Sequence, residues 1–287
     1  MINFLVPVDF SDNSLRALEY ASGLAERSGA NVIACHVQNK GSFLSGLTGD
    51  KQKEGKGELQ QKMDSFLARI TYPAAAVPET ILREGDTVEE VLKAIDEYGV
   101  SLVVMGTAGG KTLKKRIFGT TAEAIAKGGI CPVLVLPENG IMKPLQHIVY
   151  AADFENGDQV TAMQLIQLKD LFHATLTFLH VKNDKQPDYI DDNYIKEGLM
   201  KQFPKADIHF VEVRNDDIAE GISNYVKAHE TSLLAFTILN RNYLENLTHS
   251  SVSSKLLHSL NMPMLALPEN GVLLELQKHR DSESGRI

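Results

Sequence analysis

Apolar residues run almost unbroken through Ile2–Val8, Asn31–Val37, Ser101–Gly106 and Cys131–Pro137, with a shorter run at Pro78–Arg83. Runs of this length, bounded by turn-forming residues, predict five strands. Their lack of polar alternation predicts strands covered on both faces. Between them, Asp12–Ser28, Glu58–Ile70, Thr87–Tyr98 and Thr120–Lys127 carry apolar residues at helical spacing. Leu15, Leu18 and Ala25 share one face of the first helix, and Ser11 or Asp12 caps it. Strand and helix alternate, which predicts an α/β domain with a five-stranded, doubly wound parallel sheet. In such sheets ligands sit beyond the carboxyl ends of the strands, where strand order reverses. Pro7–Asp9, Val37 and Met105–Gly109 occupy those ends.

The pattern occurs twice. CPVLVLPENG at Cys131–Gly140 returns as MPMLALPENG at Met262–Gly271, an offset of 131. ACHVQN at Ala34–Asn39 returns as FLHVKN at Phe178–Asn183, and Val8–Phe10 as Ala152–Phe154, both at an offset of 144. Two copies of one unit follow, 1–143 and 144–287, and the fall in offset from 144 to 131 means that the second lacks about 13 residues mid-unit. The Gly- and Lys-rich segment Lys40–Gly57 is where the first copy is longer. The second copy's sheet is expected between Gln146 and Leu267. Leu273–Ile287 reads as a frayed amphipathic tail.

Charge separates the copies. The net charge of −8 argues against a nucleic-acid surface. Residues 1–143 carry −1 of it and residues 144–287 carry −7, so the first copy is the better host for an anion. No apolar run is long enough to span a membrane, and MINFLVPVDF does not read as a secretory leader, so a cytoplasmic protein is expected. Cys35 and Cys131 each lie in an apolar run, which suits buried free thiols rather than a disulfide or zinc site.

Met105–Thr121, MGTAGGKTLKKRIFGTT, is rich in both glycine and basic residues. It is not a P-loop: three residues, not four, separate Gly106 from Gly110, and the segment follows the fourth strand. The spacing Gly106-x2-Gly109-x9-Gly119-Thr120 is different. Each glycine allows close backbone approach to a phosphate. Gly119-Thr120-Thr121 opens a helix whose unpaired amides and dipole attract anions, and the hydroxyls of Thr120 and Thr121 add donors. Lys111, Lys114, Lys115 and Arg116 either raise the local potential or form a solvated face.

G-x2-G-x9-G-[ST] resembles the ATP-binding signature of the universal stress protein family. The resemblance extends to the VPVDFS strand end, the HV strand end, the MGT step and the CPVLVLP strand, and it covers both copies. It implies a tandem protein with the adenine-nucleotide α-hydrolase-like fold. It further implies that Asp9 and Val37 meet the ribose and adenine, with Pro7 and Val8 lining the base pocket, and that Met105 belongs to the nucleotide site. The phosphates would lie against Gly106, Gly109, Gly119, Thr120 and Thr121. Mg²⁺ or Mn²⁺ would be held mainly by phosphate oxygens, since no carboxylate cluster is offered. Ala108 and Ala122 depart from the family pattern, where polar residues are common.

The second copy is an internal control. At an offset of 131, Gly106 becomes Thr237, Gly109 becomes Asn240, Gly119 becomes Ser250 and Thr120 becomes Ser251. Lys114-Lys115-Arg116 becomes Glu245-Asn246-Leu247. The second copy is therefore expected not to bind ATP in this way, although Asp153 still matches Asp9. His36 and His180 recur at the same place, which points to packing. No catalytic or metal-ligating set stands out. The first expectation is a stress-response protein that binds ATP in its first half and acts as sensor or adaptor toward an unknown protein partner. The alternatives are an interaction protein without nucleotide, built as an internal pseudo-dimer, and a slow ATPase or autophosphorylating protein. By resemblance, Pro132–Leu136 would pair with Pro263–Leu267, and a further homodimer is compatible with the family.

Overall fold

The computed structural model of the chain describes residues 2–39, 55–73, 76–107, 120–128, 131–138, 140, 142–152, 158–183, 192–238 and 260–268, with 120, 158, 159 and 192–195 in backbone only. The first copy contains β1 (Asn3–Pro7), α1 (Asp12–Ser28), β2 (Asn31–Gln38), α2 (Lys56–Leu67), β3 (Glu79–Glu84), α3 (Thr87–Glu97), β4 (Val100–Gly106), α4 (Thr120–Lys127) and β5 (Val133–Leu136). The second contains β6 (His147–Ala151), α5 (Asp158–Phe172), β7 (Thr175–Lys182), α6 (Asp192–Gln202), β8 (Ile208–Arg214), α7 (Ile218–Ala228), β9 (Leu233–Ile238) and β10 (Met264–Pro268).

The ten strands form one sheet in the order β3-β2-β1-β4-β5-β10-β9-β6-β7-β8. Pairing is parallel within each half and antiparallel only at β5–β10 among the described strands. Each half has the same doubly wound order, with its reversal between β1 and β4 and between β6 and β9. The central junction covers the β5 and β10 edges. The outer edges, β3 and β8, carry Glu79, Arg83, Glu84, Glu212 and Arg214, charges that oppose further strand addition.

Both faces of the inner strands are buried. Phe4, Val6, Leu134 and Leu136 join Ile148, Tyr150, Leu265 and Leu267 on the face covered by α1, α2, α5 and α6. Leu5, Val103, Val133 and Val135 join Val149, Leu234, Met264 and Ala266 on the face covered by α3, α4 and α7. Each core is thus continuous across the junction. Arg27 of α1 reinforces it. Its guanidinium donates to the carbonyl of Phe172 at 2.8 Å and lies over that residue's ring. Phe172 ends α5, so the cation sits at the negative pole of a helix in the other half.

Local chemistry repeats with the sequence. Asp86 caps α3 by accepting from the amides of Val88 and Glu89, and Asp217, 131 positions on, caps α7 by accepting from Ala219 and Glu220. Gly29 turns the chain after α1 at φ +67°. The equivalent after α5 is His173 at φ +53°. Gly99 (φ +56°) likewise corresponds to Glu230 (φ +46°). The second copy keeps the left-handed turns without the residue best suited to them.

The first helix has its expected limits, and the second differs from expectation. Ser11, rather than Asp12, caps α1: its hydroxyl accepts from the Ser14 amide at 3.2 Å. The second helix spans Lys56–Leu67, not Glu58–Ile70. It starts at Gly55, which offers no side-chain cap, and ends in tighter turns from Arg69 to Phe66 and Ile70 to Leu67.

Candidate functional site

Strand order reverses between β1 and β4, and in sheets of this kind the ligand crevice lies beyond the carboxyl ends of the strands at that point. Beyond β1 the ladder continues for one more bond, from the Val8 amide to the Cys35 carbonyl at 2.8 Å. The Val8 carbonyl faces His36 Nδ1 at 2.7 Å. A carbonyl only accepts, so Nδ1 carries the proton. His180 Nδ1 meets the Ala152 carbonyl at 3.0 Å in the same arrangement. The duplicated histidines therefore tie β2 to β1 and β7 to β6, which gives the expected packing role a bond.

Asp9 follows, exposed to solvent. Its Oδ1 accepts from the Ser11 amide at 3.0 Å and from the Ser11 hydroxyl at 2.5 Å. Partial burial pushes this carboxyl up, but the hydrogen bonds from Ser11, with help from Ser14, outweigh it and hold the group below its ordinary value of 3.8. Asp9 is thus ionised at neutral pH. A carboxylate has acceptor sites beyond the two already used, so it can still accept hydroxyl donors from a ligand.

Phe10 makes the turn into α1 at φ +65°, a strained conformation for an aromatic residue. Its ring is held on three sides: His36 at 4.4 Å, Phe66 edge-on at 5.5 Å, and the Lys62 ammonium at 4.7 Å from its centroid. Phe66 and Lys62 belong to α2, so α2 packs directly behind the Asp9 turn.

The expected base-pocket residues divide between the two faces of the sheet. Pro7 pairs with Cys35, and Cys35, Val37 and Met105 all lie on the α3/α4 face. Val37 is half-buried there and Met105 is 8 % exposed. Val8, at 4 % exposure, packs in the opposite core beneath α1. Its backbone, rather than its side chain, borders the crevice. Thr121 is half-buried in the first turn of α4, on the same face as Val37 and Met105, and Ala122 beside it is packed into the core. The alanine that departs from the family pattern thus fills a core position. Gly109, Gly119, the Thr120 side chain and Lys111–Arg116 lie outside the described residues, as do Asp153, Asn240, Ser250 and Ser251.

Gly106 has a role that spacing did not disclose. A Cβ there would lie 2.7 Å from the Asn13 carbonyl oxygen and 2.9 Å from Asn13 Cβ. The missing side chain lets the first turn of α1 pack onto the end of β4. Asn13 then donates from Nδ2 to the Thr107 carbonyl at 2.8 Å, while the Thr107 amide donates to Leu136 at 2.9 Å. Asn13 and Phe10 were both missed from the sequence. One signal was available for Asn13: its counterpart is Gly157 and that of Gly106 is Thr237, so both sides of the contact change together in the second copy.

In the second copy the room is filled differently. Tyr150, at the position of Val6, is 1 % exposed, and its hydroxyl lies 2.9 Å from Thr237 Oγ1. Phe178 stands where the first copy has Ala34, and its ring packs edge-on against Tyr150 at 5.0 Å. Val181 is buried where Val37 is half open. In the first copy α2 contributes Met63 and Phe66 to the core on the face that holds Tyr150 and Phe178.

Among the described residues no group of three or more His, Cys, Asp or Glu is placed to hold a metal. None of their helices is long and apolar enough to cross a membrane. Cys35 and Cys131 are free and buried, and burial pushes both thiols up to about 12. They are poor nucleophiles and take no part in the crevice.

Comparison with known proteins agrees with this geometry. The universal stress protein family model matches residues 1–137. Universal stress protein YxiE of Bacillus subtilis is 30 % identical over 142 residues, a match covering 46 % of this chain and 96 % of that protein. Universal stress protein MJ0531 of Methanocaldococcus jannaschii is 30 % identical over 136 residues, covering 46 % of this chain and 79 % of that protein. Relatives of about half this length fit a chain that carries two such units. A crystal structure of a universal stress protein from Archaeoglobus fulgidus covers 93 % of this chain and 98 % of its own, with a TM-score of 0.65 and 18 % identity, a likeness of fold. The 30 % identity over 96 % of YxiE, with the family model on the first copy, establishes that this chain belongs to the universal stress protein family.

Proposed function

We propose that the crevice of the first copy binds ATP, and that the protein acts as a nucleotide-dependent sensor or adaptor in a stress response. One observation carries the reading. The ionised Asp9 and the apolar wall of Pro7, Val37 and Met105 converge at the strand reversal, where the glycine-threonine motif begins. Asp9 would accept the ribose hydroxyls and the apolar wall would take the adenine face. The triphosphate would run over Gly106 and Gly109 to Gly119, Thr120 and Thr121 at the start of α4. A divalent cation, Mg²⁺ or Mn²⁺, would arrive with the phosphates and be held mainly by their oxygens. With the two copies taken as 1–143 and 144–287, one nucleotide per chain is expected, in the 1–143 unit.

The packing of the second copy supports the asymmetry. Thr237 stands in place of Gly106, with its hydroxyl tied to Tyr150, and Val181 is closed off where Val37 is half open. Calorimetric titration of ATP into the wild type and Gly109→Ala tests the proposal. One site in the wild type and at least tenfold weaker binding in the variant are expected. Negligible binding in both would leave the chain as an interaction protein built on its internal pairing. Multiple-turnover phosphate release on the same sample would instead favour an ATPase.

A further inference from the structure

We propose that Asn13 is a positioning residue for the phosphate end of the crevice. The inference rests on the nucleotide reading above and deepens it. The chain leaves β4 through Gly106 and Thr107 on its way to Gly109. A peptide plane is rigid, so its direction is set by whatever holds its carbonyl. The Thr107 amide is committed to Leu136 of β5, and the Thr107 carbonyl accepts from Asn13 Nδ2 at 2.8 Å. Thr107 itself is buried. The exit from β4 is therefore fixed by two bonds, one to the neighbouring strand and one to α1.

Asn13 is itself held close. Its carbonyl and Cβ sit where a Gly106 side chain would be, so the helix cannot be moved outward without losing this contact. The Ser11 cap and the Asp9–Ser11 bonds lie within the same turn. One short segment, Asp9–Asn13, thus sets both ends of the crevice. Asp9 faces the sugar end, and Asn13 aims the strand exit that leads to the phosphates. The second copy lacks the pair, with Gly157 and Thr237 at these positions.

The consequence is selective. Removing the Asn13 amide should disturb the phosphate end and leave the nucleoside end alone. Asn13→Ala and the isosteric Asn13→Asp are titrated with ATP and with adenosine, and each is melted without ligand. ATP binding about 3- to 10-fold weaker, with adenosine binding unchanged, is expected, as for loss of one neutral hydrogen bond. Asn13→Asp should be the weaker of the two, since it sets a carboxylate against a carbonyl. Equal weakening of both ligands, or lowered melting temperature with the ATP-to-adenosine ratio intact, would make Asn13 merely structural and overturn the inference. Unchanged ATP binding in both variants would overturn it while leaving the nucleotide site in place. No binding of either ligand to the wild type would remove the site and the inference together.

Discussion

Leu134 and Leu265 occupy equivalent positions in the two copies, 131 residues apart, and they pair with each other across the antiparallel junction of β5 and β10. Val133 pairs with Ala266 and Val135 with Met264, so the register is reciprocal about that central pair. The molecule has the geometry of a symmetric dimer joined into one chain. Both leucines are 1 % exposed.

Because each leucine is buried in the core that both copies share, Leu134→Ala and Leu265→Ala are expected to cost about 2–5 kcal/mol each. Chemical denaturation followed by far-ultraviolet circular dichroism should show one transition that moves to lower denaturant in both variants. Loss confined to one of two separable transitions would mean the halves fold independently of their junction.

His173 and Glu230 adopt the left-handed conformation that Gly29 and Gly99 adopt in the first copy. His173→Gly and Glu230→Gly should each stabilise the protein by about 0.5–1 kcal/mol, because glycine enters that region without a Cβ penalty. The reverse changes, Gly29→His and Gly99→Glu, should destabilise by a similar amount. Thermal melts of the four variants decide the matter, and a fall in stability for both glycine variants would contradict the strain assigned here.

Gly106→Ala should destabilise the protein by about 1–3 kcal/mol without any ligand present, since the added methyl meets the main chain of Asn13. If phosphate clearance were the sole reason for this glycine, the apo protein would tolerate the alanine. A denaturation midpoint unchanged from wild type would show that.

The Asp9 carboxyl has a lowered pKa in the folded protein, so its bonds to Ser11 stabilise the fold fully above the ordinary value of 3.8. That contribution is lost as pH falls through the lower folded value. Adenosine binding through Asp9 should accordingly be flat between about pH 8 and pH 5 and decline only in stronger acid. Asp9→Asn should weaken adenosine binding at neutral pH and flatten the decline. A midpoint near neutrality would point to another group.

Much of this fold could be read in advance, because its signals are local. The caps Asp86 and Asp217, the turns at Gly29 and Gly99, and the unbroken apolar strands each depend on a few adjacent residues. The repeat supplied the second half, and the family resemblance placed β5 opposite β10. The limits of α2 were less legible, since Gly55 gives no capping signal and the last turn tightens gradually. The site was legible as a list of strand ends but not as a surface. Whether Val8 faces the crevice or the core depends on the sheet face it occupies, and Gly106 depends on a helix packed from elsewhere in the chain. The Asn13 amide is a contact across 94 residues, with no local trace.

Joining the two units in one chain has an evolutionary consequence. In an assembly of identical subunits every substitution appears on both sides of the axis at once, so a change that abolishes one pocket abolishes its twin. Here Tyr150, Thr237, His173 and Glu230 each occur on one side only. Divergence can therefore accumulate in one half while the other retains its chemistry, and the halves stay bound at a ratio of one to one at any concentration, including dilutions at which separate subunits would come apart.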